Sequence, residues 1–276
     1  MTQPLSNTAA PSCPQPNDPP KTTWRNALVQ VIAGGTGGAA GIFACGPFFY
    51  FKLYAQQKAS QLHNPPAFQK NPLKWFVGVP TLASAMFPVV AFQFLANDAL
   101  RKKLSQNGTH ELSPAEKLAC SVGTGALSTA FVCPQELIWT QQQTLQGELD
   151  NQMGEKAPKM SAKEVIQKIW REHGIKGFYR AGGETMGREM VCASVLTNLV
   201  AEYPLLAPLM GAALSQPLDG RKTNKQVDFN YKAPLREMCK VKAFSGLMIG
   251  RIPIYLVFMN TAPLVNEAVK RALSKE

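Results

Sequence analysis

The side chains with chemistry to offer are charged groups and glutamines set at a fixed spacing from a proline. Pro217, Asp219, Lys222 and Gln226 form one complete set: an acid two residues after the proline, a base three further on, and a glutamine four beyond that. Pro134, Glu136 and Gln143 repeat it with Trp139 where the base would stand, and Pro47, Lys52 and Gln56 repeat it with Phe49 where the acid would stand. An acid and a base three apart project from roughly one face of a helix. In a ring of three such helices, the acid of each reaches the base of the next. That makes a polar gate which must be broken before anything passes.

Catalytic chemistry finds no footing. Cys13, Cys45, Cys120, Cys133, Cys192 and Cys239 form no C-x-x-C pair, and four of them lie in or beside apolar stretches, where buried inert thiols are the default. His63, His110 and His173 give no metal spacing. There is no Gly-rich phosphate loop followed by Lys-Ser or Lys-Thr, and no nucleophile elbow. Neither an enzyme nor a bound cofactor or metal is expected.

The motif sets need elements to hold them. Their prolines are 87 and then 83 residues apart, so the chain reads as three copies of one unit. That period exceeds those of the common solenoids, and apolar helices lie inside each copy, which predicts a closed three-part membrane bundle. Residues 26–51, 75–97 and 118–135 contain no Asp, Glu, Lys, Arg or His, and further clear stretches run over 190–201, 203–218 and 252–266. A bilayer-spanning helix needs about 20 largely apolar residues. The first two windows meet that outright. The other four meet it only with a charged residue turned toward a bundle interior, where intramembrane charges usually act. Six helices are expected. Each motif proline ends an apolar window, and proline bends a helix by removing a backbone hydrogen bond. Pro47, Pro134 and Pro217 are therefore expected as kinks that draw three helix ends together. Before the first two, Gly34, Gly35, Gly37, Gly38 and Gly41, and then Ser121 and Gly125, offer small faces through which helices approach closely in lipid.

Composition alone, 45% apolar with a mean hydropathy of −0.10, would suit a soluble protein. The placement of the charge says otherwise. Segments 57–74, 148–180 and 221–242, between paired helices, hold 17 Lys and Arg against 7 Asp and Glu, so nearly all of the +11 net charge falls on one side of a six-helix layout. Bases facing an anionic lipid surface or one compartment account for that. No nucleic-acid partner is expected, because the bases are not interleaved with aromatics in a stacking pattern. Residues 1–22, rich in Pro, Ser, Asn and Thr with Lys21 as the single base, read as a disordered tail and not as a signal or transit peptide. Residues 23–276 read as one domain, with repeats at 24–105, 112–203 and 204–273.

Over roughly residues 24–273 this pattern closely resembles the signature of the mitochondrial carrier family. Gly177, Phe178, Tyr179 and Arg180 leading to Arg188, Gly246 leading to Arg251 and Pro253, and Gly78, Pro80 and Pro88 match the starts of the family's even-numbered helices. The resemblance implies an all-α membrane protein with six transmembrane helices in three pseudo-symmetric repeats, each carrying a short matrix-side helix. Ser161 to His173 would be that of repeat two, with Ile166, Ile169 and Trp170 on its apolar side. A monomer in the mitochondrial inner membrane, touching an anionic lipid such as cardiolipin, is also implied.

In the family the acid of repeat one pairs with the base of repeat two, two with three, and three with one. Phe49 and Trp139 occupy both places of a single pair, leaving Glu136 with Lys222 and Asp219 with Lys52. Removing one partner of a buried pair costs about 3–5 kcal/mol, whereas replacing both by apolar groups can be neutral. The expectation is a gate of two ion pairs with a Phe49–Trp139 aromatic contact in place of the third, braced by Gln56, Gln143 and Gln226. On the opposite side, Asp98 and Arg101 keep an acid-x-x-base. Pro204 and Pro208 stand where repeat three should show small residues, so its first helix is expected to be irregular.

Solute contacts in the family lie on the even helices about halfway down a cavity, which by alignment implies Ser84 and Ala85, Arg188 and Glu189, and Arg251. Arg188 could fork onto a phosphate or a carboxylate. An adjacent Arg–acid pair resembles amino-acid carriers, where each end of a zwitterion meets an opposite charge. The run from Phe87 to Phe94, followed by Asn97 and Asp98, is more similar to ADP/ATP carriers, and the bases Lys52, Lys222, Arg188 and Arg251 suit a multiply charged anion. The resulting expectation is a carrier of a small anionic metabolite working by alternating access, a nucleotide such as ATP or ADP ahead of an amino acid. A carrier-like receptor or structural protein that no longer transports is the alternative from another class. Three retained glutamines and two matched ion pairs speak against it.

Overall fold

A computed structural model describes residues 24–59, 68–105, 110–154, 157–199, 202–203, 206–232, 234–236 and 247–273. The expected tail at 1–22, Pro204 and Gly246 lie outside them. Among the described residues the chain is all helical. The helices are α1 (Trp24–Ala44), α2 (Gly46–Ala59), α3 (Val79–Ser84), α4 (Met86–Leu104), α5 (Pro114–Met153), α6 (Ala162–Phe178), α7 (Gly182–Leu199), α8 (Leu206–Val227) and α9 (Ile252–Leu273). A 3-10 turn over Pro72–Phe76 precedes α3, and a π-turn over Leu247–Arg251 leads into α9.

The helices close on themselves. α1 packs on α4, α4 on α5, α5 on α7, α7 on α8 and α8 on α9, and α9 returns to α1. Close backbone approach explains two of these seams. A Cβ on Gly37 would fall 2.6 Å from the Ala262 carbonyl oxygen of α9, and one on Gly125 would fall 2.9 Å from the Glu189 carbonyl oxygen of α7. The second contact fixes the height of Glu189, and so of Arg188, against α5.

The motif prolines act unequally. α1 and α2 meet at a 60° bend just before Pro47, where the ring removes the hydrogen bond to the preceding turn. Pro134 and Pro217 instead lie inside uninterrupted helices. α8 is regular from Leu206 onward, which corrects the irregularity expected of it. Pro208 sits in its first turn, where a missing N–H leaves no intrahelical bond unmade.

Two stretches, Pro72–Leu104 and Met248–Leu273, are long and apolar enough to cross a membrane, and the bent pair Leu28–Ala44 with Gly46–Lys58 makes a third. The expected six spans are thus not all apolar. α5 carries Glu136, α7 carries Arg188 and Glu189, and α8 carries Asp219, Arg221 and Lys222.

Two local predictions are refined. α6 begins with a capping box in which Ser161 and Glu164 satisfy each other's backbone N–H groups. The regular helix breaks at Gly174, whose φ of 60° and ψ of −160° suit only glycine. Its buried side is Val165 and Ile169, while Ile166 and Trp170 are exposed. On α4, Asp98 pairs with Lys102 at 2.7 Å, one turn on, and not with Arg101.

Candidate functional site

α2 and the second halves of α5 and α8 carry the motif residues, and α7 contributes to the same cluster. Asp219, with no exposed surface, accepts from Lys52 Nζ at 2.8 Å and from Gln56 Nε2 at 2.9 Å. Glu136 accepts from Lys222 Nζ at 2.7 Å. Lys222 is also 3.8 Å from Asp219, one helical turn away on α8. Where the third pair would be, Phe49 and Trp139 meet edge to face, with ring centroids 5.6 Å apart and planes at 67°. Around them pack Ile42, Leu53, Val79, Leu82 and Ala83. That environment would leave a charge there unsolvated.

Arg188 enters this cluster from α7. Its guanidinium holds Glu136 with two prongs, at 2.8 and 3.1 Å, and reaches Asp219 at 3.4 Å. It also donates to the neighbouring Glu189 carboxylate. Its side chain is 11% exposed, and its Nε has no hydrogen-bond partner among the described residues. Residues expected to form two separate sites, a solute contact and a gate, therefore share one network.

Arg251 is placed apart from that network. It is buried in the π-turn, donating to the Ala212 carbonyl at 2.9 Å, to Ser215 Oγ at 2.8 Å and to Gln216 Oε1 at 3.3 Å. No carboxylate among the described residues lies within ion-pair distance of it. Ser84 is exposed, with its hydroxyl on the Thr81 carbonyl, and Ala85 marks the break between α3 and α4. The structure does not bring these two onto Arg188 or Arg251.

The three motif glutamines differ. Gln56 donates directly to gate Asp219. Gln143 donates to the Val77 carbonyl and to that of Trp75 at 3.4 Å, tying α5 to the turn of repeat one. The Gln226 side chain accepts a long bond from Thr140 at 3.3 Å while its main-chain carbonyl accepts from Gln141, and its buried Nε2 has no partner among the described residues.

Sequence reasoning missed a ladder of neutral polar groups around these. Gln135 donates to the Leu82 carbonyl at 2.8 Å, Thr81 to Gln142 at 2.8 Å, and Gln57 to Thr144 at 3.0 Å. The run from Thr140 to Gln146, six amide or hydroxyl side chains in seven residues with no charge, was the available signal. It also missed a second buried ion pair, Lys74 with Asp150 at 2.5 Å.

Comparisons with known proteins find mitochondrial carriers. The family described as mitochondrial carrier protein matches residues 110–202. Over 265 residues the chain is 23% identical to the mitochondrial S-adenosylmethionine carrier protein of Xenopus tropicalis, covering 83% of this chain and 89% of that one. Over 161 residues it is 28% identical to mitochondrial glutamate carrier 1 of Rattus norvegicus, covering 51% and 47% respectively. An uncharacterized mitochondrial carrier of Schizosaccharomyces pombe is 29% identical over 185 residues, covering 64% of this chain and 59% of that one. The chain is thus similar to mitochondrial carriers, at identities consistent with a divergent member of that family. The matched region, 110–202, contains α5, α6 and α7, and with them Glu136, Trp139, Gln143, Arg188 and Glu189.

Proposed function

We propose that this carrier moves a small solute bearing an α-amino-acid group across the mitochondrial inner membrane by alternating access. The observation that carries the reading is the adjacency of Arg188 and Glu189 on α7, a guanidinium and a carboxylate side by side at the edge of a closed polar gate. A solute carboxylate suits the planar fork of Arg188, and a solute ammonium suits Glu189. The relatives named for S-adenosylmethionine and glutamate support this, since both compounds carry an α-amino and an α-carboxyl group.

The order of the two solute classes expected from sequence is thereby reversed. No nucleotide carrier stands among the relatives reported above. The cluster also offers a multiply charged nucleotide little surplus charge, because Lys52, Arg188 and Lys222 are matched by Glu136, Glu189 and Asp219. Lys52, Glu136, Asp219 and Lys222, with Gln56, serve as the gate in this reading, and the Phe49–Trp139 contact fills the third place. Solute binding supplies the differential energy that opening the gate requires.

The test is uptake into liposomes by the purified carrier. L-glutamate, S-adenosylmethionine, ATP and ADP are offered with and without internal solute. Saturable uptake of an amino-acid-type solute, lost in Arg188→Ala from a protein with a native melting transition, is the expected outcome. Uptake of ATP alone would overturn the solute class. Normal uptake by Arg188→Ala would move the binding site elsewhere. No uptake of any solute by folded protein would favour the receptor or structural role.

A further inference from the structure

We propose that Arg188 is the third bridge of this gate, standing in for the charge pair that Phe49 and Trp139 lack, and that the solute opens the gate by taking Arg188 away from Glu136 and Asp219. This rests on the functional reading above, for the step in which solute meets Arg188.

Three observations converge. Glu136 on α5 and Asp219 on α8 belong to different repeats, and each already has its motif base, Lys222 and Lys52. Arg188 spans both carboxylates from a third helix, with two prongs on Glu136 and one nitrogen 3.4 Å from Asp219. Lys222 links the two remaining pairs only through its longer 3.8 Å contact with Asp219, and Arg188 joins them a second time from a helix outside the motif. The place where a third motif pair would close the ring, between repeats one and two, holds two aromatic rings instead.

The consequence for transport follows from the number of donors. A guanidinium presents five N–H donors in a fixed plane. In Arg188 both terminal nitrogens are engaged by Glu136, with Asp219 and Glu189 as further acceptors. An incoming carboxylate can grip Arg188 with two prongs only by displacing one of these. Displacing Glu136 breaks the bridge from α5 to α7, and releasing Asp219 breaks the one from α7 to α8. Binding and opening then compete for a single side chain, which is the differential interaction that a ligand-driven transition needs. A solute without a carboxylate or similar two-oxygen anion would have no means of release. Glu189 is the natural acceptor to stay in place, since it adjoins Arg188 in sequence and would meet the solute's cationic end.

The test separates the bridge from the solute step. The bridge is read without solute, as melting temperatures of the purified carrier with Arg188→Gln, Glu136→Gln and both. A bridge makes the loss in the double variant clearly smaller than the sum of the two single losses. An additive result overturns the proposal. The release step is read as uptake kinetics of L-glutamate and S-adenosylmethionine. Glu136→Gln, which keeps the shape and loses the competing charge, is expected to lower KM about tenfold as Arg188 is freed. A purely structural role for Glu136 would not tighten binding, so an unchanged or higher KM overturns the release step while leaving the carrier reading intact. Coupled melting with no uptake of any solute supports the bridge and overturns the functional reading. Should Glu136→Gln be too unstable to purify, Arg188→Lys gives a second readout. It keeps the charge but loses the fork, so a lower melting temperature with a raised KM is expected, and wild-type values for both overturn the proposal.

Discussion

At the level of the motif residues repeats one and two meet through neutral groups, their buried Lys74–Asp150 pair lying farther along α5, whereas repeat three is joined to both through charges. At the first contact Phe49 lies against Trp139, and Gln143, Gln135, Gln142 and Thr144 of α5 bond to the Val77 and Leu82 carbonyls, Thr81 and Gln57. At the others, Asp219 holds Lys52, Lys222 holds Glu136, and Arg188 holds both acids. The difference teaches how a buried ion pair can be lost without penalty. Both charges are absent together, the space is filled by rings, and the nearby backbone has side-chain partners. A neutral contact offers a charged solute nothing to exchange, so the proposed release acts on Arg188, Glu136 and Asp219 and not on the Phe49–Trp139 contact.

The largest way to break that comparison is to put half of the pair back. Phe49→Glu places a carboxylate beside Trp139, Leu53, Val79 and Leu82 with no base opposite, since Lys52 is already committed to Asp219. The expected loss is about 3–5 kcal/mol, read by thermal unfolding in detergent. Adding Trp139→Lys supplies the partner and is expected to recover most of it. A single variant as stable as the wild type would show that these two positions do not face each other as a pair.

A smaller effect sharpens the packing side of the same contact. Gly78 has a φ of 76°, and a Cβ there would fall 2.8 Å from Trp139 Cδ1 and 3.2 Å from Gln142 Oε1. Gly78→Ala combines a left-handed backbone with an overpacked ring, for an expected loss of about 2–3 kcal/mol. Trimming the ring with Trp139→Leu is expected to remove the overpacking part and leave only the backbone part. If the cost of Gly78→Ala is the same in both backgrounds, Trp139 does not press on this turn.

This contrast also marks what could be read from the residues alone. Paired absence was legible, because Phe49 and Trp139 occupy both halves of one motif position while Lys52, Glu136, Asp219 and Lys222 remain. Spacing carries that kind of information directly. The position of Arg188 was not legible. A guanidinium on a long side chain can point to a cavity or to a neighbouring helix, and only the distance from α7 to α5 and α8 decides between them. The neutral ladder was hidden for a related reason. Glutamine-to-carbonyl bonds depend on where another helix turns, as at Val77 and Leu82, and leave no periodicity. Likewise the three prolines look alike in sequence, yet only Pro47 follows a helix break, because whether a helix survives proline depends on the packing around it.

The smallest expected effect concerns glutamines that the motif presents as equivalent. Gln143 donates to the Val77 and Trp75 carbonyls at the neutral contact, so Gln143→Leu leaves buried acceptors without a donor and should cost about 1–3 kcal/mol. Gln226 lies on α8, the charged side, where its Nε2 has no partner among the described residues and its Oε1 receives one long bond from Thr140. Gln226→Leu removes an amide that is already half unsatisfied, so its net effect should stay within about 1 kcal/mol. Thermal unfolding of the two variants side by side measures this. An equal loss in both would mean that Gln226 braces the gate as firmly as Gln143 braces the turn, and the asymmetry between neutral and charged contacts would then not extend to their glutamines. A loss confined to Gln143→Leu places the stability of this floor in the repeat one–two contact and leaves the charged borders, held by exchangeable ion pairs, as the part able to open.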